Sequence, residues 1–164
     1  MISQTALVVA GPFGAALSAG DVARAIGRGL VAGGLPEPDL CPIEIVRASA
    51  ETTMQTVTQR DPGTRKMATP DVTALLAGLD FDTRMRRARA VVLAEEHLRE
   101  RTLRGSVAFE IATRARQGGV PAYAVTGENA LTPFDARILD LQVILEAGGR
   151  RALASAGRKL AGLI

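Results

Sequence analysis

Three carboxylates follow two apolar runs of this chain. Glu51 comes after the stretch IEIVR, and Glu95 and Glu96 come directly after ARAVVLA. Carboxylates at the ends of buried strands can hold Mg²⁺ or orient a hydroxyl group. Glu95 is the better placed, because it lies immediately past a run that reads as buried strand. His97 adds a base or a phosphate contact, with a solvated histidine as the plainer reading. It is the only histidine, and a zinc site ordinarily draws on a cluster of such ligands. Thr102-Leu103-Arg104-Gly105 opens a helical pattern. Thr102 can cap it, and Arg104 can hold a carboxylate or phosphate or serve in a structural salt bridge. Gly11 to Ser18, GPFGAALS, is a strand-to-helix turn of the kind that lets backbone approach an anion. It matches neither the dinucleotide fingerprint nor the phosphate loop that ends in Lys-Ser/Thr, so a tight turn alone is the other reading. Thr126 to Asn129 reads as a structural turn at a strand end.

Alternating strands and helices must position these groups. Residues 5–10, TALVVA, read as a buried strand ended by Gly11-Pro12. Ser18 and Asp21 have capping-box spacing, and Val22, Ile26 and Leu30 make one helical face. Gly33-Gly34 and Pro36 stop that helix. Further strands are expected at 43–47, 88–94, 121–126 and 141–145. Further helices are expected from an Asp71 cap through Leu79, from Thr102 to Gln117, and over about 150–161. Asp135 is expected to cap a short turn. This alternation predicts an α/β fold, a single three-layer Rossmann-like domain with a mainly parallel sheet of about five strands. Ligands of such folds collect beyond the carboxyl ends of the strands.

The 164 residues and 17.2 kDa suit one domain, 1–164, with residues 59–80 as an internal bridging segment. The chain is 47% hydrophobic and 23% charged, which excludes disorder, and 3% aromatic, which starves any stacking surface for single-stranded nucleic acid. Its formal net charge is only +3, spread among 18 Arg and 2 Lys. The run Arg84, Arg86, Arg87 and Arg89 reads as a solvated helix end, with phosphate or nucleic-acid binding as the alternative. Cys41 is alone, so no disulfide framework is expected. No leader-like segment and no bilayer-length apolar window are seen. A cytoplasmic protein is therefore expected, with no nucleic-acid or membrane partner.

The same residues resemble the bacterial glycerate kinase family of two-domain enzymes. VAGPFGAALSA, Val9 to Ala19, is similar to that family's opening pattern APDSFKGSLSA. Phe13, Leu17, Ser18 and Ala19 match, while Gly11 replaces an Asp, Gly14 a Lys and Ala15 a Gly. RASAETT, Arg47 to Thr53, resembles ADGGEGT and keeps Glu51 and Thr53, with Ala48 in place of an Asp. ARAVVLAEEHLRERTLRGS, Ala88 to Ser106, resembles ADLVITGEGRLDAQTLRGK. Ala88, Val91, Glu95, Leu98, Thr102, Leu103, Arg104 and Gly105 match at continuous spacing. The family's Gly-Glu-Gly becomes Ala94-Glu95-Glu96, its next Asp becomes Arg99 and its final Lys becomes Ser106. The resemblance covers about residues 5–60 and 80–163, and the family's large central portion is missing.

The resemblance implies Glu95, Glu51 and Arg104 as catalytic positions and Glu95 and Glu51 as metal ligands. It implies Gly11, Gly14, Ser18 and Thr102 as cofactor-binding positions. Family members move the γ-phosphoryl group of ATP to glycerate with Mg²⁺, which needs metal carboxylates and cations around the phosphoryl group. Gly11, Gly14, Ala48 and Arg99 remove or reverse such charges. The expectation is a diverged, catalytically inactive domain that binds a small phosphorylated or carboxylate metabolite, with no cofactor assured. One alternative is a small kinase using ATP and Mg²⁺ on glycerate or a related hydroxy acid, completed by oligomerisation, with a homodimer as the expected assembly. Another is a non-enzymatic interaction subunit with an exposed apolar patch.

Overall fold

The computed structural model describes residues 4–44, 72–99 and 106–164. Five strands form one sheet: β1 (Ala6–Ala10), β2 (Asp39–Pro42), β3 (Ala90–Arg99), β4 (Ala122–Ala130) and β5 (Leu141–Glu146). Their order is β2-β1-β3-β4-β5, and every neighbouring pair is parallel. The helices are α1 (Ala19–Ala32), α2 (Val72–Gly78), α3 (Phe81–Arg87), α4 (Val107–Gln117), α5 (Pro133–Ile138) and α6 (Arg150–Ala161). The expected α/β three-layer domain with a parallel five-stranded sheet is what the chain forms.

Period-two alternation divides the strand side chains between two cores. Val8, Ala10, Val92 and Val125 pack with Val22, Ile26 and Leu30 of α1 and Leu153 and Leu160 of α6. Leu7, Val9, Val91 and Leu93 pack on the other face with Phe81 of α3 and Val107 and Ile111 of α4. The first core depends on small residues. A Cβ at Gly29 would stand 2.0 Å from the Ala154 carbonyl oxygen, and one at Gly157 2.3 Å from that of Ile26. Glycine at both positions lets α1 and α6 touch backbone to backbone.

Local signals place most element ends. The Ser18 hydroxyl accepts a hydrogen bond from the Asp21 N–H, and the Asp21 carboxylate accepts one from the Ser18 N–H, so the expected capping box starts α1. The last helix spans the expected residues. Several expectations need correction. β3 and β4 run on to Arg99 and Ala130, so the turn expected at Thr126 to Asn129 lies within β4. The second strand is Asp39–Pro42 rather than 43–47; Ile43 follows it, donating its N–H to Ala10, and residues 45–47 lie outside the described residues. A sheet edge tolerates Pro42, which a central strand would not. The helix expected from Thr102 begins at Val107, because Ser106 is extended and its hydroxyl caps the Phe109 N–H. The cap of α5 is Thr132, with Asp135 as the third helical residue of a second capping box. Asp71 and the bridging residues up to it lie outside the described residues.

Candidate functional site

The sheet order changes direction between β1 and β3: the chain leaves β1 for the β2 edge and returns to β3 on the other side. At such a reversal of strand order, α/β proteins place ligands in the crevice beyond the strand ends. Here it is a cleft of about 530 Å³, within the usual range for small-molecule sites. Val9, Ala10, Leu93, Val107 and Ile111 supply apolar walls. Gly11 and Pro12 border it from the end of β1, Ile43 from beyond β2, and Val107 and Ala108 from the first turn of α4. Its polar side chains among the described residues are Glu95, Glu96 and His97, consecutive on β3.

Glu95 is the central group. The strand runs on past it to Arg99, so Glu95 is part of β3 rather than beyond its end. It shares the sheet face of Leu93, the face covered by α4. Its carboxyl meets no hydrogen-bond donor or cation among the described residues. Burial in these apolar surroundings pushes its pKa up to about 7.

Beyond Glu95, β3 and β4 continue as a pair past the ends of β1 and β5, with His97 opposite Glu128 and Arg99 opposite Ala130. His97 Nδ1 lies 3.1 Å from Glu128 Oε2, and Arg99 donates to the same oxygen at 3.1 Å. The Arg99 guanidinium holds the Glu128 carboxyl below the usual carboxylate range, aided by His97. His97 Nε2 is 3.7 Å from Glu96 Oε1. Thr126, fully buried one turn of the pleat earlier, donates its hydroxyl to the Glu128 and Glu96 carbonyls and so ties the two strands together.

The candidate residues from the sequence are thus partly assembled. Glu95 and Gly11 border the cleft together. The Gly11 N–H donates to the Ala94 carbonyl and extends the β1–β3 ladder. Gly14 has φ of +62°, a left-handed turn conformation suited to glycine, and its turn is closed by paired hydrogen bonds between Phe13 and Leu17. The Ser18 hydroxyl caps α1. Glu51, Thr102 and Arg104 lie outside the described residues. Of the basic run, Arg84 grips Asp39 with two nitrogens, at 2.8 and 2.6 Å, and Arg89 reaches the carbonyl of Ile164. Sequence reasoning placed Glu128 in a structural turn and missed its pairing with His97, and it missed the first turn of α4. Only the β3–β4 register could have found Glu128, since it stands 31 positions from His97.

Mg²⁺, which the family's reaction uses, calls for several oxygen ligands. The described residues contain no group of three His, Cys, Asp or Glu side chains suited to a metal ion. Glu95 is the one expected ligand among the described residues, Glu51 lies outside them, and no step is routed through the ion.

No curated protein matches the chain significantly. Among solved structures, a diflavin flavoprotein A3 from Nostoc sp. is similar at 12% identity and a TM-score of 0.46. The match covers 98% of this chain and 92% of that one. The profile of the glycerate kinase family matches residues 64–150, which contain β3, the cleft-lining Glu95 and the first turn of α4. That match extends over more than half of the sequence and over the side of the cleft that carries its polar groups, and the chain belongs to the glycerate kinase family.

Proposed function

We propose that this chain is a diverged glycerate-kinase-family domain that binds a small carboxylate- or phosphate-bearing metabolite in the β1–β3 cleft. In this reading it no longer transfers the γ-phosphoryl group of ATP to glycerate. The observation that carries the reading is Glu95, a carboxyl without a protein partner among the described residues, in an apolar-walled cleft at the reversal of strand order. Phosphoryl transfer concentrates negative charge that cations must neutralise. The described side chains on this cleft are two carboxylates, one imidazole and apolar groups. Gly11 and Gly14 stand where the resemblance puts ionic groups.

Calorimetry with ATP, ADP, glycerate and phosphoglycerate, with and without Mg²⁺, tests the reading. Millimolar or tighter binding of a carboxylate or phosphorylated metabolite, without ATP-dependent product in a steady-state assay, is the expected outcome. Turnover of ATP and glycerate would refute the loss of activity, and absence of all binding would refute the metabolite site.

A homodimer is the proposed form of the molecule. Phe134 and Ile138, 71% and 43% exposed, stand four residues apart on α5 and offer it an apolar contact. Sedimentation should give twice the chain mass for the parent and the chain mass for Phe134→Asp; a monomeric parent would dispose of the dimer.

A further inference from the structure

The two edges of the sheet are protected unequally. An edge strand presents a row of unpaired backbone groups, and proteins keep it from pairing with short length, proline or charge. β2 uses all three. It is four residues long and ends on Pro42, which has no N–H. Arg84 covers it, donating to the Asp39 carboxylate and, at 2.9 Å, to the Leu40 carbonyl. β5 is six residues long, LQVILE, with no proline and no basic side chain. Its single charge, Glu146, stands at the last position.

The ladder leaves the outer side of β5 open. Ala124 is in register with Ile144 and Thr126 with Glu146, and the Ala147 N–H donates to the Thr126 carbonyl. Peptide groups alternate between the two sides of a strand, so the N–H groups of Ile144 and Glu146 point away from β4. They meet no acceptor among the described residues. The side chains agree with the backbone. Leu141 and Ile144 are only partly buried against the core of α3 and α4, and Val143 and Leu145 only partly against that of α1 and α6. Apolar surface is therefore open on both faces of the strand. Just before it, α5 exposes Phe134 and Ile138.

An open strand edge is complementary to another extended strand, and a second β5 fits it. Antiparallel pairing centred on Ile144 sets Gln142 opposite Glu146 of the partner subunit. An amide donor then meets a carboxylate, and no like charges face each other within the paired strands. A six-residue strand is about 20 Å long and a sheet between two helical layers about 30 Å thick, so the edge offers roughly 600 Å² in outline, near the ~800 Å² per partner of a standard interface. Phe134 and Ile138 add to it. The protected β2 edge does not receive a β5, so the contact is isologous and closes at two chains.

We propose that two copies of this chain pair antiparallel through β5 into one continuous ten-stranded sheet, with α5 of each copy flanking the join. This rests on the homodimer reading above and names the surface within it.

Hydrogen exchange of the isotope-labelled full chain, read by NMR at concentrations above and below dimer dissociation, tests it. In the dimer the Ile144 and Glu146 amides should exchange at least about ten-fold more slowly than after dilution, while the inward-facing Leu145 and Ala147 amides change little. Ile144→Pro removes an outward N–H and spares the β4 ladder. It should sediment at the chain mass with the parent's circular dichroism spectrum. If it fails to fold, Glu146→Pro, at an exposed position, takes its place with the same expected mass. A dimer whose Ile144 and Glu146 amides exchange freely, or one that survives these substitutions, would overturn the β5 surface and leave the homodimer standing. Assemblies larger than two would overturn the closed pairing. A monomer at every concentration would overturn surface and homodimer together.

Discussion

The proton affinity of one side chain, Glu95, has a consequence for the stability of the whole fold. Burial raises its pKa from 4.5 to about 7. The folded protein therefore holds a proton there that the unfolded chain releases. That contribution is fully present below pH 4.5, declines as pH rises toward about 7, and is gone above it. Glu95→Gln removes the titration. The stability of the parent relative to this variant should fall between pH 4.5 and 7 by up to about 3 kcal/mol, less the share screened by the residue's partial exposure. Urea denaturation of both proteins across that range measures it, and parallel stability curves would contradict the burial of this carboxyl. Asp21 and Glu128, both held below the usual carboxylate range by hydrogen bonds and Arg neighbours, act with the opposite sign in both proteins and cancel in the difference. At this scale the sequence was informative where a signal is local. Ser18 and Asp21 stand three apart and cap as their types require. Glu95 was recognisable from the apolar run before it. The pairing of His97 with Glu128 was not, because it depends on how two strands far apart in sequence align.

Among the elements, the contact between α1 and α6 is the sharpest constraint. Alanine favours a helix over glycine by roughly 1 kcal/mol in isolation. At Gly29 that gain loses to geometry, since a Cβ would fall 2.0 Å from the Ala154 carbonyl. Gly29→Ala should destabilise the protein by about 1–3 kcal/mol as the helices separate, read as a lowered urea midpoint. A stability equal to or above the parent's would show that the two backbones do not meet there. The start of α4 gives a second test. Ser106→Ala should cost about 1 kcal/mol, because the Phe109 N–H loses its acceptor, and a neutral result would move the helix start elsewhere. Central strands and amphipathic helices were readable because their apolar runs are long and their burial complete. β2 was misplaced because Asp39-Leu40-Cys41-Pro42 carries weak strand preference and is held by pairing with β1. The end of β3 was misplaced because Glu95 to Arg99 is mostly polar, and its strand conformation comes from its partner β4.

For the molecule as a whole, the expected α/β architecture emerged from the alternation of elements, while the strand order did not. That order determines the site. It sets β1 beside β3, so that Gly11 and Glu95, 84 positions apart, border one cleft. No helix among the described residues is long and apolar enough to cross a membrane. Family membership brings an expectation of phosphoryl transfer, and the described part of the cleft carries two carboxylates, one imidazole and apolar groups. The central claim is that this cleft binds a small metabolite. Amide chemical shifts of the isotope-labelled full chain, followed while glycerate, phosphoglycerate or ADP is titrated to millimolar concentration, test it most directly. Shifts concentrated at Gly11, Glu95, Val107 and Ala108, and diminished in Glu95→Gln, are the predicted result. A spectrum unmoved by all three, or shifts gathered instead around α5, would contradict the account.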